Sequence, residues 1–539
     1  MDPLVEPSAT VGGGRPGALS AAGAVEAYRR WTPEATAAVV DYLEALDDLP
    51  VGPSVEPGWL LERLPLEPPS DPEGLDAVLS DLAEVIRPAL VQWQAPGFHG
   101  YFPANTSWPA ALADFVAAGL GQQGMVWATS PAATELEMRM LDWVAELAGL
   151  PEKFRHSSKG PGGGVIQDSA SSGTLVALLA ARERAGGRGE LARQVVYHSE
   201  EAHSSVIKGA RIAGFLEEHI RAVPTDDSLA IRLDALRSMI ESDLADGLVP
   251  AAVVATVGTT STMAVDPVPA MVTLLDEVFS TPGHPGGPTN STTAAVTAAA
   301  NVGESVASAG VTTAVTSNTV PDATALRPWL HVDAAMAGGA TICEEHRDLL
   351  AGIDRVDSYL FNPHKWWGIT FDCTTMWVAD RTSVLGALSI MPPYLRNEAS
   401  ESAGVVDFRD WQVPLGRRFR SLKIWFVLRA IGAGAIADMV RLHCREASWL
   451  AEQVEGSDIW NLAAPPRLNL VCVAHRDGGE ATRKAGLALN ESGKALVTLT
   501  EVDGNSVLRL SVGSPSVTHT EVVALWDLLA SHVPSHRRT

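Results

Sequence analysis

Cysteine is scarce in this chain, and the little there is has no pattern. The 539 residues hold four, Cys343, Cys373, Cys444 and Cys472, none in CxxC spacing. That excludes a disulfide framework, offers no zinc or other metal site, and leaves buried free thiols in a reducing cytoplasm as the expectation. Long apolar runs are missing too. No stretch reaches about eighteen apolar residues, so no membrane span is expected. The opening Met1-Asp2-Pro3 has no basic segment ahead of an apolar one, unlike a signal peptide. Positive charge is in deficit, with 40 Lys and Arg against 64 Asp and Glu and a net charge of −24. Such a balance argues against nucleic acid or anionic membranes as partners. What is present is globular: 46% hydrophobic and 19% charged residues. The length calls for about two or three domains.

Residues 1–24, rich in Gly, Pro, Ala and Ser, read as a mobile tail. Helical periodicity follows at Glu34–Leu46 and Gly74–Ile86, separated by proline-rich joints. Such a thin segment, 25–107, cannot bury its own apolar face and must pack on the main domain or on another subunit. From 108 to 422 the pattern is α/β. Strand-like Val165–Gln167, Gln194–His198, Ala251–Thr256, Leu330–Asp333, Tyr359–Asn362 and Thr374–Val378 alternate with helices Thr174–Arg184, Ser204–Gly214 and Val268–Phe279. That alternation predicts a mostly parallel sheet with ligands at the carboxyl ends of its strands. Residues 281–324 break the pattern, with Glu304 and Asp322 as their only formal charges. A surface insertion is favoured there over a structured lid or an extra helix. A helix Trp425–Leu442, strands Asn469–Val473 and Val507–Val512 and a helix Glu521–His532 predict a small α+β domain over 423–535.

Two apolar strand-like runs carry chemistry. One ends His331-Val332-Asp333-Ala334-Ala335 and the other leads into Asn362-Pro363-His364-Lys365. Each alone is ordinary, a strand aspartate or a turn. Together they supply what pyridoxal phosphate needs: a lysine to form a Schiff base with its aldehyde and a carboxylate to pair with its pyridine nitrogen. Upstream, the run Gly162–Thr174 reads as a strand, a small polar turn and a helix start. Backbone N–H groups at such a helix start bind phosphate, although a serine there is also an ordinary N-cap. The downstream pair favours the phosphate reading. His203, after Glu200 and Glu201 and before a helix, is either a cap-region histidine or an imidazole stacked on the cofactor ring. Thr260 follows the strand Ala251–Thr256, where its hydroxyl can face the cofactor.

These stretches, with Phe98–Pro103, Trp127–Pro131, Thr134–Glu137 and above all Trp411–Lys423, resemble group II pyridoxal-phosphate decarboxylases, and within them the aromatic-L-amino-acid decarboxylase branch. The resemblance spans nearly the whole chain, most tightly 98–423. It implies an aspartate-aminotransferase type of fold: an α/β large domain, a small C-terminal domain, and an N-terminal helical segment swapped across a homodimer. It implies Lys365 as the Schiff-base lysine preceded by His364, Asp333 on the pyridine nitrogen with Ala335 nearby, Ala170 and Ser171 on the phosphate, His203 on the ring and Thr260 beside it. Tyr394, in Met391-Pro392-Pro393-Tyr394-Leu395, would be the proton source. Tyrosine there goes with amine release, phenylalanine with aldehyde-forming relatives. Tyr101, Phe102, Met125 and Gly416 would shape the substrate pocket. Glycine at 416 leans toward indoles, so tryptophan or its 5-hydroxy derivative is expected at least to match tyrosine. Three positions depart from the pattern: Met336 where an aromatic is usual, Met125 where animal members have Phe, and Ala104 where they have Thr. The implied activity is decarboxylation of aromatic L-amino acids. The alternatives are a decarboxylase of non-aromatic acids and an aromatic aldehyde synthase.

Overall fold

Six strands buried along their whole length and one partly exposed edge strand form a seven-stranded sheet at the centre of the molecule. The computed structural model describes residues 20–53, 55–280, 326–390 and 405–531. The expected insertion 281–324, the tail up to residue 19 and Tyr394 lie outside them. The strands are β1 (Gly163–Gln167), β2 (Gln194–Ser199), β3 (Ile220–Val223), β4 (Val249–Thr256), β5 (Trp329–Asp333), β6 (Ser358–Phe361) and β7 (Thr374–Val378), in the spatial order β1-β7-β6-β5-β4-β2-β3. All run parallel except β7, which is antiparallel to both β1 and β6. Every residue of β4 and β5 is buried, as a sheet covered by helices on both faces requires.

A second sheet holds β8 (Trp460–Leu462), β9 (Leu470–His475), β10 (Thr498–Val502) and β11 (Asn505–Ser511), antiparallel throughout in the order β10-β11-β9-β8. It has its own core, with Leu450, Trp460, Val473, Leu508 and Leu525. The mostly parallel sheet and the smaller α+β unit are as the sequence predicts.

Several details differ. The helix expected at Trp425–Leu442 is two helices, Ser421–Ala430 and Ala433–Glu455. Gly432 breaks them with a φ of 87°, a left-handed conformation that glycine adopts without a Cβ penalty. The first of these helices contains the expected domain boundary at 422/423 and packs on helices Trp108–Leu120 and Pro131–Leu147, with Trp425 stacked on Trp143 at 5.6 Å. The first helix among the described residues starts at Ala21, not Glu34, with the Ser20 hydroxyl accepting from Gly23 N, so residues 20–24 of the expected tail belong to this helix and its cap. None of the residues of this helix, Ala21–Glu44, is buried.

Candidate active site

Asp333 closes β5, and its neighbour β6 leads directly into the site. Lys365, expected on a strand-like run, instead sits one step beyond β6 on a single helical turn, Pro363–Trp366. The proline explains the change. It cannot continue a strand ladder, and at a helix start its missing N–H costs nothing. Two indoles anchor the turn, Trp366 through Nε1 to His443 Nδ1 (2.9 Å) and Trp367 through Nε1 to the Gly339 carbonyl (2.8 Å).

Lys365 and Asp333 line one cavity of about 240 Å³ at the carboxyl edge of the sheet. Burial lowers the Lys365 amine to about pKa 8, with Asp333 opposing the shift and Arg509 adding to it. Burial pushes the Asp333 carboxyl up while Lys365 pulls it down, and one carboxylate oxygen accepts from the Ala335 N–H at 3.0 Å. Lys365 Nζ lies 5.2 Å from the centroid of the Phe102 ring, and Arg509 Cζ lies 4.8 Å from that same centroid.

The helix Ala170–Arg184 opens onto the cavity with Ser169, Ala170 and Ser171. Ser169 Oγ accepts from Ser172 N at 3.2 Å, so the ordinary capping bond is made here. The earlier N–H groups of Ala170 and Ser171 have no intrahelical acceptor and remain for an anion. His203 also lines the cavity. Its Nδ1 accepts from the Ser205 N–H at 3.2 Å, which puts the proton of the neutral ring on Nε2. Burial lowers its pKa, Asp333 opposes that shift, and Lys365 reinforces it. Thr260 and Ala335 complete the residues that the sequence pointed to and the fold brings together.

Others it does not bring there. His364 lies off the cavity. Its Nδ1 accepts from Cys373 N at 2.9 Å, its ring is 4.8 Å from Phe371, and burial takes its pKa down to about 3. Tyr101 is 58% exposed and stacks on Trp93 at 5.7 Å, while the next residue, Phe102, faces the cavity. Met125 and Gly416 lie on adjoining segments joined by Gly124 N to Arg417 O (3.1 Å) and Arg417 N to Gln123 Oε1 (2.6 Å). Neither lines the cavity within one chain, and a Cβ on Gly416 would meet Gln123 Nε2 at 3.4 Å.

The long Trp411–Lys423 motif has a plain structural use. Arg417 forms a two-pronged pair with Glu137 (2.7 and 3.0 Å) and donates to the Ile166 carbonyl (2.9 Å), while Glu137 accepts from Ile166 N (2.9 Å). Gln167 Nε2 adds a bond to the Trp411 carbonyl (2.8 Å). The motif thus clamps the end of β1, from which the helix start at Ser169–Ser171 projects.

Sequence reasoning missed Thr256, Gly258 and Asn362, all on the cavity wall. Thr256 ends β4, and its buried hydroxyl has no partner among the described residues. Gly258 has a φ of 91°, and a Cβ there would come within 2.7 Å of Ala337. All three lie at or just past the carboxyl end of a parallel strand, a place that many residues with no role in a site also share.

A buried amine, a buried carboxylate on the adjacent strand end, a helix start with open N–H groups and an orphaned hydroxyl fit pyridoxal phosphate group by group. Fold and cavity define a pyridoxal-phosphate enzyme of the aspartate-aminotransferase type. The comparisons narrow this. The model of the pyridoxal-dependent decarboxylase conserved domain matches residues 57–476, and the chain belongs to that family of carboxy-lyases. It is 38% identical to phenylacetaldehyde synthase of Arabidopsis thaliana over 91% of this chain and 92% of that one. It is 37% identical to tryptophan decarboxylase 2 of Oryza sativa over 91% of both. The crystal structure of Oryza sativa TDC with PLP and tryptamine superposes with a TM-score of 0.83 at 34% identity, covering 95% of this chain and 98% of that one. Among the described residues no helix is long and apolar enough to cross a membrane.

Proposed function

We propose that this enzyme decarboxylates aromatic L-amino acids to arylalkylamines and CO2, acting as a cytoplasmic homodimer. The observation that carries this reading is the meeting of Lys365, Asp333, His203 and the Ser169–Ser171 helix start in one cavity. The relatives named for aromatic products and substrates support the aromatic half of it. The four free thiols, three of them buried, are consistent with a reducing compartment.

Bound pyridoxal phosphate supplies an electron sink for the pair left on the α-carbon when CO2 departs. The chain's residues do the rest. Lys365, its amine lowered to about pKa 8 by burial, would hold the group through its aldehyde. Asp333 would pair with the ring nitrogen and favour its protonated form, and the Ala170 and Ser171 N–H groups would take the phosphate. His203, with its proton on Nε2, would lie beside the ring. Phe102 and Met336 close the wall and keep water from the reacting carbon. Tyr394 delivers the final proton, and a hydroxyl at that position is the reason for preferring amine over aldehyde.

Gly416 and Met125 bear on substrate choice only when a second subunit brings their segment against a cavity. Dimerisation is supported by the wholly unburied helix Ala21–Glu44 and by exposed Tyr28, Leu112, Phe115 and Leu120. Tryptophan or 5-hydroxytryptophan is therefore placed at least level with tyrosine. A second reading, aldehyde synthesis, is favoured by the 38% identity to phenylacetaldehyde synthase. Product analysis with tryptophan, tyrosine, phenylalanine, 3,4-dihydroxyphenylalanine, glutamate and histidine decides. Amine without peroxide or ammonia supports the proposal. Stoichiometric peroxide and ammonia establish the second reading, and glutamate or histidine ahead of every aromatic acid refutes the aromatic assignment.

A further inference from the structure

His443 stands outside the cavity, yet hydrogen bonds lead from it to both sides of Lys365. It lies on the helix Ala433–Glu455 and is fully buried. Trp366, next in sequence to Lys365, donates from Nε1 to His443 Nδ1 at 2.9 Å, and the other ring nitrogen, Nε2, is 3.0 Å from the Ser514 carbonyl. An indole N–H can only donate, so Nδ1 is the acceptor, and the one proton of the neutral ring must sit on Nε2 and point to Ser514. Burial lowers the ring to about pKa 4, so this tautomer holds across the neutral range.

The connection continues on the far side. Ser514 Oγ donates to the Gln94 carbonyl at 3.0 Å, and the side chain of neighbouring Asn105 donates to the Gly513 carbonyl. Between Gln94 and Asn105 lies Phe102, whose ring faces Lys365 Nζ across the cavity. The lysine's own turn is four residues long, too short to be stable by its internal hydrogen bonds. Its position depends on bonds to its surroundings: those of the two indoles on one side, and those of Asn362 and His364 to Thr374 and Cys373 on the other.

We propose that His443 is a positioning residue for Lys365. It fixes the lysine turn and the Phe102 segment to one point of the small domain, and so sets the reach of the amine into the cavity. This rests on the reading of Lys365 as the cofactor lysine. A histidine that merely fills the core would stabilise the fold without affecting how the cofactor is held.

The test uses the full chain, stripped of pyridoxal phosphate and reloaded. It compares wild type with His443→Phe, His443→Gln, Trp366→Phe and the Phe/Phe double variant. The readouts are the pyridoxal-phosphate dissociation constant and the visible circular dichroism of the bound group. Loss of one relay bond should raise the dissociation constant about tenfold and diminish the dichroism. Glutamine, which offers an acceptor and a donor on one planar amide, should restore both. The double variant should be no worse than the weaker single one, because both break the same relay. Wild-type affinity and dichroism in His443→Phe, whatever its melting temperature, overturn the proposal. So does a double variant whose losses add. If His443→Phe does not fold, Trp366→Phe decides alone: unchanged binding refutes the relay. Borohydride fixation and peptide mapping on the wild type separate the two layers. A label on another lysine sinks the reading of Lys365, whereas a label on Lys365 with silent variants sinks only His443.

Discussion

The burial of Lys365, proposed above as the cofactor lysine, makes a pH prediction. An amine attacks an aldehyde only when its lone pair is free. With the Lys365 pKa lowered to about 8 from the ordinary 10.5, the apoenzyme should take up pyridoxal phosphate at a rate that climbs with pH and levels off above about 8. Below that, the rate should fall about tenfold per pH unit as the amine protonates. Stopped-flow absorbance across pH 6 to 10 would show it, and a midpoint near 10.5 would mean that the lysine is not buried in solution. Tyr394→Phe should lower amine formation by at least about a hundredfold and raise aldehyde output, the scale of a lost general acid. Unchanged amine production would remove Tyr394 from the mechanism. At this scale the sequence was readable where chemistry dictates residue type. A Schiff-base lysine, a pyridine-pairing carboxylate and a helix start have no substitutes, so Lys365, Asp333, Ala170 and Ser171 could be picked out as candidates, and the fold brings them to one cavity. Thr256, Gly258 and Asn362 could not, because a strand-end threonine becomes special only when neighbouring strands converge. His364 and Tyr101 show the converse. Each is next in sequence to a cavity residue and faces elsewhere, as alternation along an extended or turning backbone demands.

Among the elements, β1 and the clamp behind it position the helix start proposed to take the phosphate. The Glu137–Arg417 pair is almost wholly buried, at 4% and 1% side-chain exposure. Removing one partner strands the other in an apolar interior, and Arg417→Met should cost about 3–5 kcal/mol in urea unfolding of the apoenzyme. A loss under about 1 kcal/mol would show that water reaches the pair. Cofactor affinity should fall in parallel, because β1 carries Ser169–Ser171. Element existence was legible for the long buried strands β4 and β5 and poor for β3, β8 and β10. In β3 only Val223 is buried, and in β10 only Val502, so neither has a clean apolar alternation to read. The helix merged across Gly432 fails for a related reason. Apolar periodicity runs on through a break that only the backbone angle reveals.

For the molecule as a whole, the telling surface is apolar. The helix Ala21–Glu44 rests Tyr28 edge-on against Phe115 at 5.9 Å, yet both rings remain about half exposed. A contiguous face of this kind marks an interaction site. Sedimentation should give twice the mass of the 56.9 kDa chain. Phe115→Glu should shift the population toward monomer and reduce activity with it, and a wild-type dimer after that change would move the interface elsewhere. The sequence foresaw that the N-terminal segment could not bury its own face. It could not say that Met125 and Gly416 would lie away from the cavity of their own chain, since that depends on how whole elements assemble.

The two tryptophans flanking Lys365 have an optical consequence. Trp366 and Trp367 are both fully buried, fixed by hydrogen bonds and immediately beside the lysine. Pyridoxal phosphate absorbs where indole emits, so a loaded site should drain the excitation of both rings by resonance transfer. The ultraviolet glow of this protein should therefore dim as the cavity fills and recover as it empties, making occupancy visible without any added label.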